Sequence, residues 1–218
     1  AQLSDRRAWA RIPGRLGPAV VTIDAESAVG SLRRAGPLGL ELEARANFSS
    51  CRANVAVFSG AWYYEATLLT AGISQVGWAT RRCPFTLEEG VGDAPDSYAV
   101  DGKRVRRWSV RPAPYGAPWA QGDVYGCAID LRGERGRVSF YRNGAALGTA
   151  YDDVRVARAA HLAYFPALSM SQAERVALNF GAWPFRYAPP EGHLPLHPPP
   201  AARDLAAARY LCGCLARL

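Results

Sequence analysis

Residues 86–111, TLEEGVGDAPDSYAVDGKRVRRWSVR, carry a charge pattern unusual for a loop. Glu88, Glu89, Asp93, Asp96 and Asp101 come with no base among them, and Lys103, Arg104, Arg106, Arg107 and Arg111 follow with no acid. Three chemistries compete for such a stretch: a phosphate cradle, a nucleic-acid patch and a surface that holds another protein. A Walker-type cradle needs its glycines to run into Gly-Lys-Ser or Gly-Lys-Thr and a helix, and Gly90-Val91-Gly92-Asp93 does neither. A nucleic-acid site gathers bases away from acids and interleaves aromatic stacking platforms; here an acidic block adjoins the bases and the platforms are thin. The plainest competing reading is a solvated loop whose acidic and basic halves pair with each other, contributing little stability.

Elsewhere the side chains able to act as nucleophiles or metal ligands are scattered. His161, His193 and His197 have no serine or cysteine partner in a recognisable nucleophile setting, and the last two lie in a proline-rich stretch where an exposed, inert role is expected. Cys51, Cys83, Cys127, Cys212 and Cys214 form no Cys-x-x-Cys pair and have no histidine at zinc spacing. Neither a metal nor a cofactor is expected. The odd cysteine count argues against a disulfide framework and for a reducing, cytoplasmic setting. Asn47-Phe48-Ser49 matches a glycosylation sequon, a three-residue pattern that chance supplies readily.

These residues must be positioned by strands. At 218 residues, with 49% hydrophobic and 21% charged side chains, the chain can bury a full core as one all-β domain, and no apolar run approaches membrane-spanning length. Net charge is +7, compatible with acidic partners. The opening AQLSDRRAWARIPG has neither an apolar signal core nor an initiator methionine, so the chain is expected to be a piece of something longer. WYYEATLL (62–69) and ISQVGWAT (73–80), separated by a short turn containing glycine, read as a hairpin. GDVYGCAIDL (122–131) and RVSFYRNGAALGTAY (137–151) repeat the strand pattern, and Asn143-Gly144 predicts a two-residue type I′ turn because both residues accept positive φ. YFPALSMS and RVALNFGAWPFRY supply the last strands. Turn-punctuated strands at this spacing mean antiparallel sheets in a sandwich or barrel. Residues 1–39 are read as an irregular lead-in with one strand near 19–24, 40–188 as the sandwich, 189–200 as a proline-rich linker and 201–218 as a short helix.

GAWYYEATLL, GWAT, GDVYGCAIDL, VSFYRNGAALGTAY, YFPALS and LNFGAWPFRY occur in the order found in SPRY domains, the core of B30.2-type interaction modules, and the chain resembles that family over about 40–188. PFTLEEGVGDAPDSYAVDGKRVRRW, YGAPW and the C-terminal AARDLAAARYLCGCLARL look like the SPRY region of large RING-finger ubiquitin ligases of the Kip1 ubiquitination-promoting type and their plant relatives. The resemblance implies a bent two-sheet antiparallel sandwich, not an enzyme, that holds a protein or peptide segment at a loop rim. The zinc-binding RING of the parent ligase would need about eight Cys and His ligands at fixed spacing, so catalysis would lie outside this stretch.

In such a domain, 90–108 would cross the rim. Tyr98 and Trp108 would then anchor a partner, or else pack inward. Asp101 and Arg104 would fix a peptide backbone or an acidic group, or else hold the loop to itself. Met170, Ser171 and Gln172 match the opposite rim loop, and the Val-Trp-Gly of relatives that bind asparagine-rich peptides is missing. Trp62, Trp78, Tyr141, Phe180 and Trp183 are assigned to the framework. Two alternatives stand beside partner recruitment: a scaffold packing on other parts of the parent ligase, with 201–218 as a strut, and a concanavalin-like carbohydrate binder. The expected partners are proteins, not nucleic acid or membrane.

Overall fold

A computed structural model describes residues 13–156 and 162–197. The strands in chain order are β1 (Arg15–Leu16), β2 (Ile23–Val29), β3 (Leu32–Ala35), β4 (Glu41–Ala44), β5 (Ser49–Ala53) and β6 (Ala56–Val57). There follow β7 (Ala61–Leu68), β8 (Ser74–Thr80), β9 (Ser97–Asp101), β10 (Arg106–Ser109), β11 (Arg111–Pro114) and β12 (Val124–Asp130). The last five are β13 (Arg135–Arg142), β14 (Ala145–Arg155), β15 (Tyr164–Met170), β16 (Arg175–Asn179) and β17 (Leu194–Pro195).

They form two sheets, antiparallel but for β17, which runs parallel to β7. One sheet runs β1-β6-β15-β8-β9-β10-β11, with β5 also on β15 and β2 on β5; the other runs β14-β13-β12-β7-β16-β4-β3. This is the predicted antiparallel sandwich. Alternation explains the core: Val76 and Trp78 on β8, Tyr98 and Val100 on β9, and Leu168 and Met170 on β15 point inward to meet Trp62, Tyr64, Tyr125 and Phe140 from the facing sheet. Trp62, Trp78 and Phe180 are fully buried, whereas Trp183 is 41% exposed.

Two local expectations met different outcomes. Asn143 (φ 51°) and Gly144 (φ 80°) form the two-residue turn joining β13 to β14, as the sequence predicts. The Asn143 side chain adds a reason for its place, accepting from the Val124 N–H (2.9 Å) and donating to Asp123 (2.8 Å). The segments 62–69 and 73–80 do not pair, however: β7 and β8 lie in different sheets. Both strands are buried along nearly their whole length, so each needs ladder partners on both sides, and the glycine between them turns a corner of the sandwich instead of closing a hairpin.

Between 13 and 39 the chain contributes three strands rather than one, and β2 begins at Ile23. Arg15 Nε donates to the Leu196 carbonyl (2.7 Å), so the beginning and end of the described chain meet. The helix read for 201–218 lies outside the described residues.

Candidate functional site

The site is built at the end of the first sheet. Met170 pairs with Ser74, and continuing the β8–β9 register brings Gly102 level with Ser74. The turns after β9 and β15 therefore emerge at the same end, two strands or about 10 Å apart. Sequence spacing alone, with some 70 residues between them, does not reveal this.

Inward alternation decides several side chains. Tyr98 is 6% exposed and packs on Tyr151 (4.9 Å between ring centres) and Tyr164; burial, with Asp96 nearby, pushes its phenol up to about 12. Met170 is fully buried in the main core. Both side chains therefore belong to the core and not to the outer surface. Ser171 is partly exposed and Gln172 exposed. Their loop is tied down by backbone bonds from Ser171 N–H to Ile73 and from Ala173 N–H to Ala44, and by Glu174, whose carboxylate accepts from the Thr70 hydroxyl and the Gly72 N–H.

The outward side of the sheet is covered by the chain itself. Ser50, Ser169, Gln75 and Asp101 stand on neighbouring strands, each at most 1% exposed. Over them runs Gly90-Val91-Gly92-Asp93, the stretch whose purpose the sequence left open. Ser169 Oγ bonds Ser50 Oγ (2.7 Å) and accepts from the Val91 N–H (2.9 Å). The Gln75 amide, in the orientation that satisfies both neighbours, donates to the Val91 carbonyl (3.2 Å) and accepts from Arg104 (3.3 Å). Val91, Cys83, Ala79, Ala99 and Ala167 make a small second core there, with Phe85, Ala94 and Trp108 against it. Cys83 is buried within this cluster, and burial pushes its thiol up.

The glycines permit this closeness: a methyl on Gly90 would stand 2.1 Å from Ser169 Oγ, and one on Gly92 2.6 Å from Trp108 Cβ. Asp93 accepts from the Gly90 N–H (2.8 Å), although burial still raises its carboxyl above the ordinary range.

Asp101 and Arg104 meet each other. Asp101 is fully buried; one carboxylate oxygen accepts from the Lys103 and Arg104 N–H groups (2.8 and 3.0 Å) and the other from Arg104 Nε (2.5 Å). The Arg104 guanidinium also stacks over Trp108 at 4.4 Å, leaving its side chain 34% exposed. Of the two readings of this pair, the loop-holding contacts are present. The same holds for Trp108, partly buried against the strap.

Outermost on this sheet lies the β10–β11 hairpin, whose Arg106 end adjoins the Gly102 turn while Val110 and Arg111 lie at the opposite end. Lys103, Arg106 and Arg111 are exposed and have no ion-pair partner among the described residues, while Arg107 lies over the Tyr151 ring at 4.9 Å. Val105 (φ 56°) and Val110 (φ 62°) bracket β10. A β-branched side chain in the left-handed region is strained, and such strain collects at functional sites. The surroundings impose it: Val110 N–H donates to Gly92 O (2.7 Å), and Val105 O accepts from Tyr115 N–H (3.2 Å). Pro112 and Pro114 on β11 remove donors from the sheet's last strand and guard that edge against further pairing. No sequence signal marked these two valines beforehand, because positive φ at valine is dictated by its neighbours.

A family model for the SPRY domain matches residues 61–182. Over 216 residues the chain is 45% identical to the E3 ubiquitin-protein ligase RKP of Arabidopsis thaliana, covering 99% of this chain and 16% of that protein. Over 162 residues it is 32% identical to the ATP-dependent RNA helicase Ddx1 of Drosophila melanogaster, covering 72% of this chain and 21% of that protein. The chain thus spans about a sixth and a fifth of these relatives' lengths. Among the described residues no helix is long and apolar enough to cross a membrane.

Proposed function

Because this chain belongs to the SPRY domain family, whose members mediate protein–protein contacts, we propose that it is the interaction module of a RING-type E3 ubiquitin ligase and recruits a partner through one end of its first sheet. A relative that is a ligase and another that is a helicase share this region, which favours a contact-making role over either chemistry. On this reading ligase catalysis belongs to a RING elsewhere in the parent protein, and the domain acts in the cytoplasm without a cofactor.

The observation that carries the proposal is the strained, rigidly backed turn between β9 and β10, which presents Lys103 and Arg106 level with the Ser171–Gln172 turn. The partner is a segment of acidic, carbonyl-rich character. The guanidinium and ammonium groups steer it in, and the hydroxyl and amide of Ser171 and Gln172 bind its backbone. Within the rim, Asp101, Arg104 and Trp108 act as positioning residues that keep the strap and the hairpin in place, and Tyr98 and Met170 support the same strands from the core.

The test is an array of fifteen-residue peptides graded from acidic to basic, probed with the whole chain. Acidic peptides should be retained preferentially, and more weakly as salt rises. Lys103→Glu combined with Arg106→Glu should lower retention at least about tenfold, a loss of ~1.4 kcal/mol. Arg137→Glu, an exposed base on the other sheet, should leave it unchanged. Retention indifferent to peptide charge, or equal loss in both variants, would remove the rim from consideration.

A further inference from the structure

An apolar cleft of about 200 Å³ opens beside the second sheet, lined by Pro37, Leu40, Glu41, Ala177, Leu178 and Trp183. Trp183 is 41% exposed, and Leu38, in the turn that supplies Pro37, is 37% exposed and held in the left-handed region (φ 56°). An indole and a leucine side chain left in water beside an apolar depression constitute a surface that gains by being covered. It lies away from the rim proposed above and shares none of its residues.

The polypeptide itself arrives at this place. Leu196 is fully buried, and the His197 N–H donates to the Phe180 carbonyl (2.7 Å), three residues before Trp183. From there the sequence continues through Pro198-Pro199-Pro200 into AARDLAAARYLCGCLARL. That segment carries Leu205, Tyr210, Leu211, Leu215 and Leu218, with three arginines against one aspartate. Glu41, on the wall of the cleft, is exposed and has no ion-pair partner among the described residues. At about 3.3 Å per residue, the eight residues from His197 to Leu205 reach some 26 Å, ample for a return to Trp183.

We propose that residues 201–218 of this same chain cover the Trp183 cleft, placing leucine and tyrosine side chains against Trp183, Pro37 and Leu178, and an arginine beside Glu41. The covering is intramolecular, so a short tether presents the segment at an effective concentration in the millimolar range and weak contacts suffice.

The segment brings its own reporter, because Cys212 and Cys214 lie within it while Cys51, Cys83 and Cys127 are buried. In the full chain, Trp183→Cys and, separately, Ala177→Cys are oxidised with copper phenanthroline, which takes two electrons as two thiols lose their protons and join. Peptide mapping then identifies the disulfides. Monomeric chain linked from position 183 or 177 to Cys212 or Cys214, at roughly ten times the yield of a Leu87→Cys control in the exposed loop between β8 and β9, is the expected result. Ala177→Cys keeps Trp183 in place and so stands if the first variant is poorly folded. Links no more frequent than in the control, or links only between two molecules, would overturn the proposal; the latter would assign the cleft to a second copy.

Discussion

Gly90→Ala asks whether the strap over the first sheet is clamped or merely resting there. The new methyl would lie 2.1 Å from Ser169 Oγ and 2.7 Å from both Phe48 Cε1 and Ser169 Cβ, well inside any tolerated contact. Ser169 has no room to retreat: it is fully buried, and its hydroxyl bonds both Ser50 and Val91. The strap must lift. Complete detachment exposes Val91, worth about 1.5–3 kcal/mol, and gives up its two hydrogen bonds, each worth about 1 kcal/mol net. A destabilisation of roughly 3–5 kcal/mol therefore follows from losing the contacts of Val91 alone. For a domain of this size that lowers the melting temperature by about 6–20 °C. Circular dichroism melts measure the global part, and hydrogen exchange at the Val91 amide the local part, which should quicken at least about tenfold. Adding Ser169→Gly should restore some of the loss, since it removes two of the three atoms the methyl strikes and leaves only Phe48 Cε1. Wild-type melting together with a still protected Val91 amide would refute the clamp.

Gly144→Val should cost about 1–3 kcal/mol, because a β-branched residue resists φ +80° and its Cβ would stand 2.8 Å from Tyr187 Cδ1; an unchanged melt would mean the turn is not what it looks like. Val110→Gly runs the other way. Val110 is 53% exposed at φ 62°, so relieving its strain should stabilise the chain by up to about 1 kcal/mol, and a lower melting temperature would show that no strain was held there. Burial raises the Asp123 carboxyl, but the Ala120 N–H, Asn143 and Arg142 outweigh it and hold the group below the ordinary carboxylate range. A depressed carboxylate stabilises above its unfolded value and loses that contribution as pH falls through the folded one. The stability gap between wild type and Asp123→Asn should thus be widest near neutrality and close below about pH 4, a window set by the ordinary aspartate value; a gap constant from pH 7 to 2 would contradict this.

Where a residue's state depends on its own strand, the sequence was informative. The framework motifs placed Trp62 and Trp78 inside, and Asn143-Gly144 announced its turn because only such residues fill both of its positions cheaply. Where state depends on another part of the chain, it was not. Nothing local distinguishes the pairing of β7 with β12 from a pairing with β8, since both neighbours bury the same strand. Trp183 sits in a motif with framework residues, yet it follows the end of β16 and half escapes the core. For 98–108, the choice between ligand and self contact turned on a loop folding back over Ser169 and Gln75, two residues whose polarity gave no hint that they would be roofed over.

The Arg15–Leu196 hydrogen bond makes the two ends of the sandwich a single doorway. A longer polypeptide that carries this unit would step aside into it and return to almost the same point, so the unit hangs from its host like a side branch instead of lying in series with it. Such wiring lets a module be added to or removed from unrelated hosts with only a short splice to close the gap. It also determines how tension is borne: a pull along the host arrives first at one arginine and the short strands beside it, and the sheets that hold the rim feel it only after that clasp has opened.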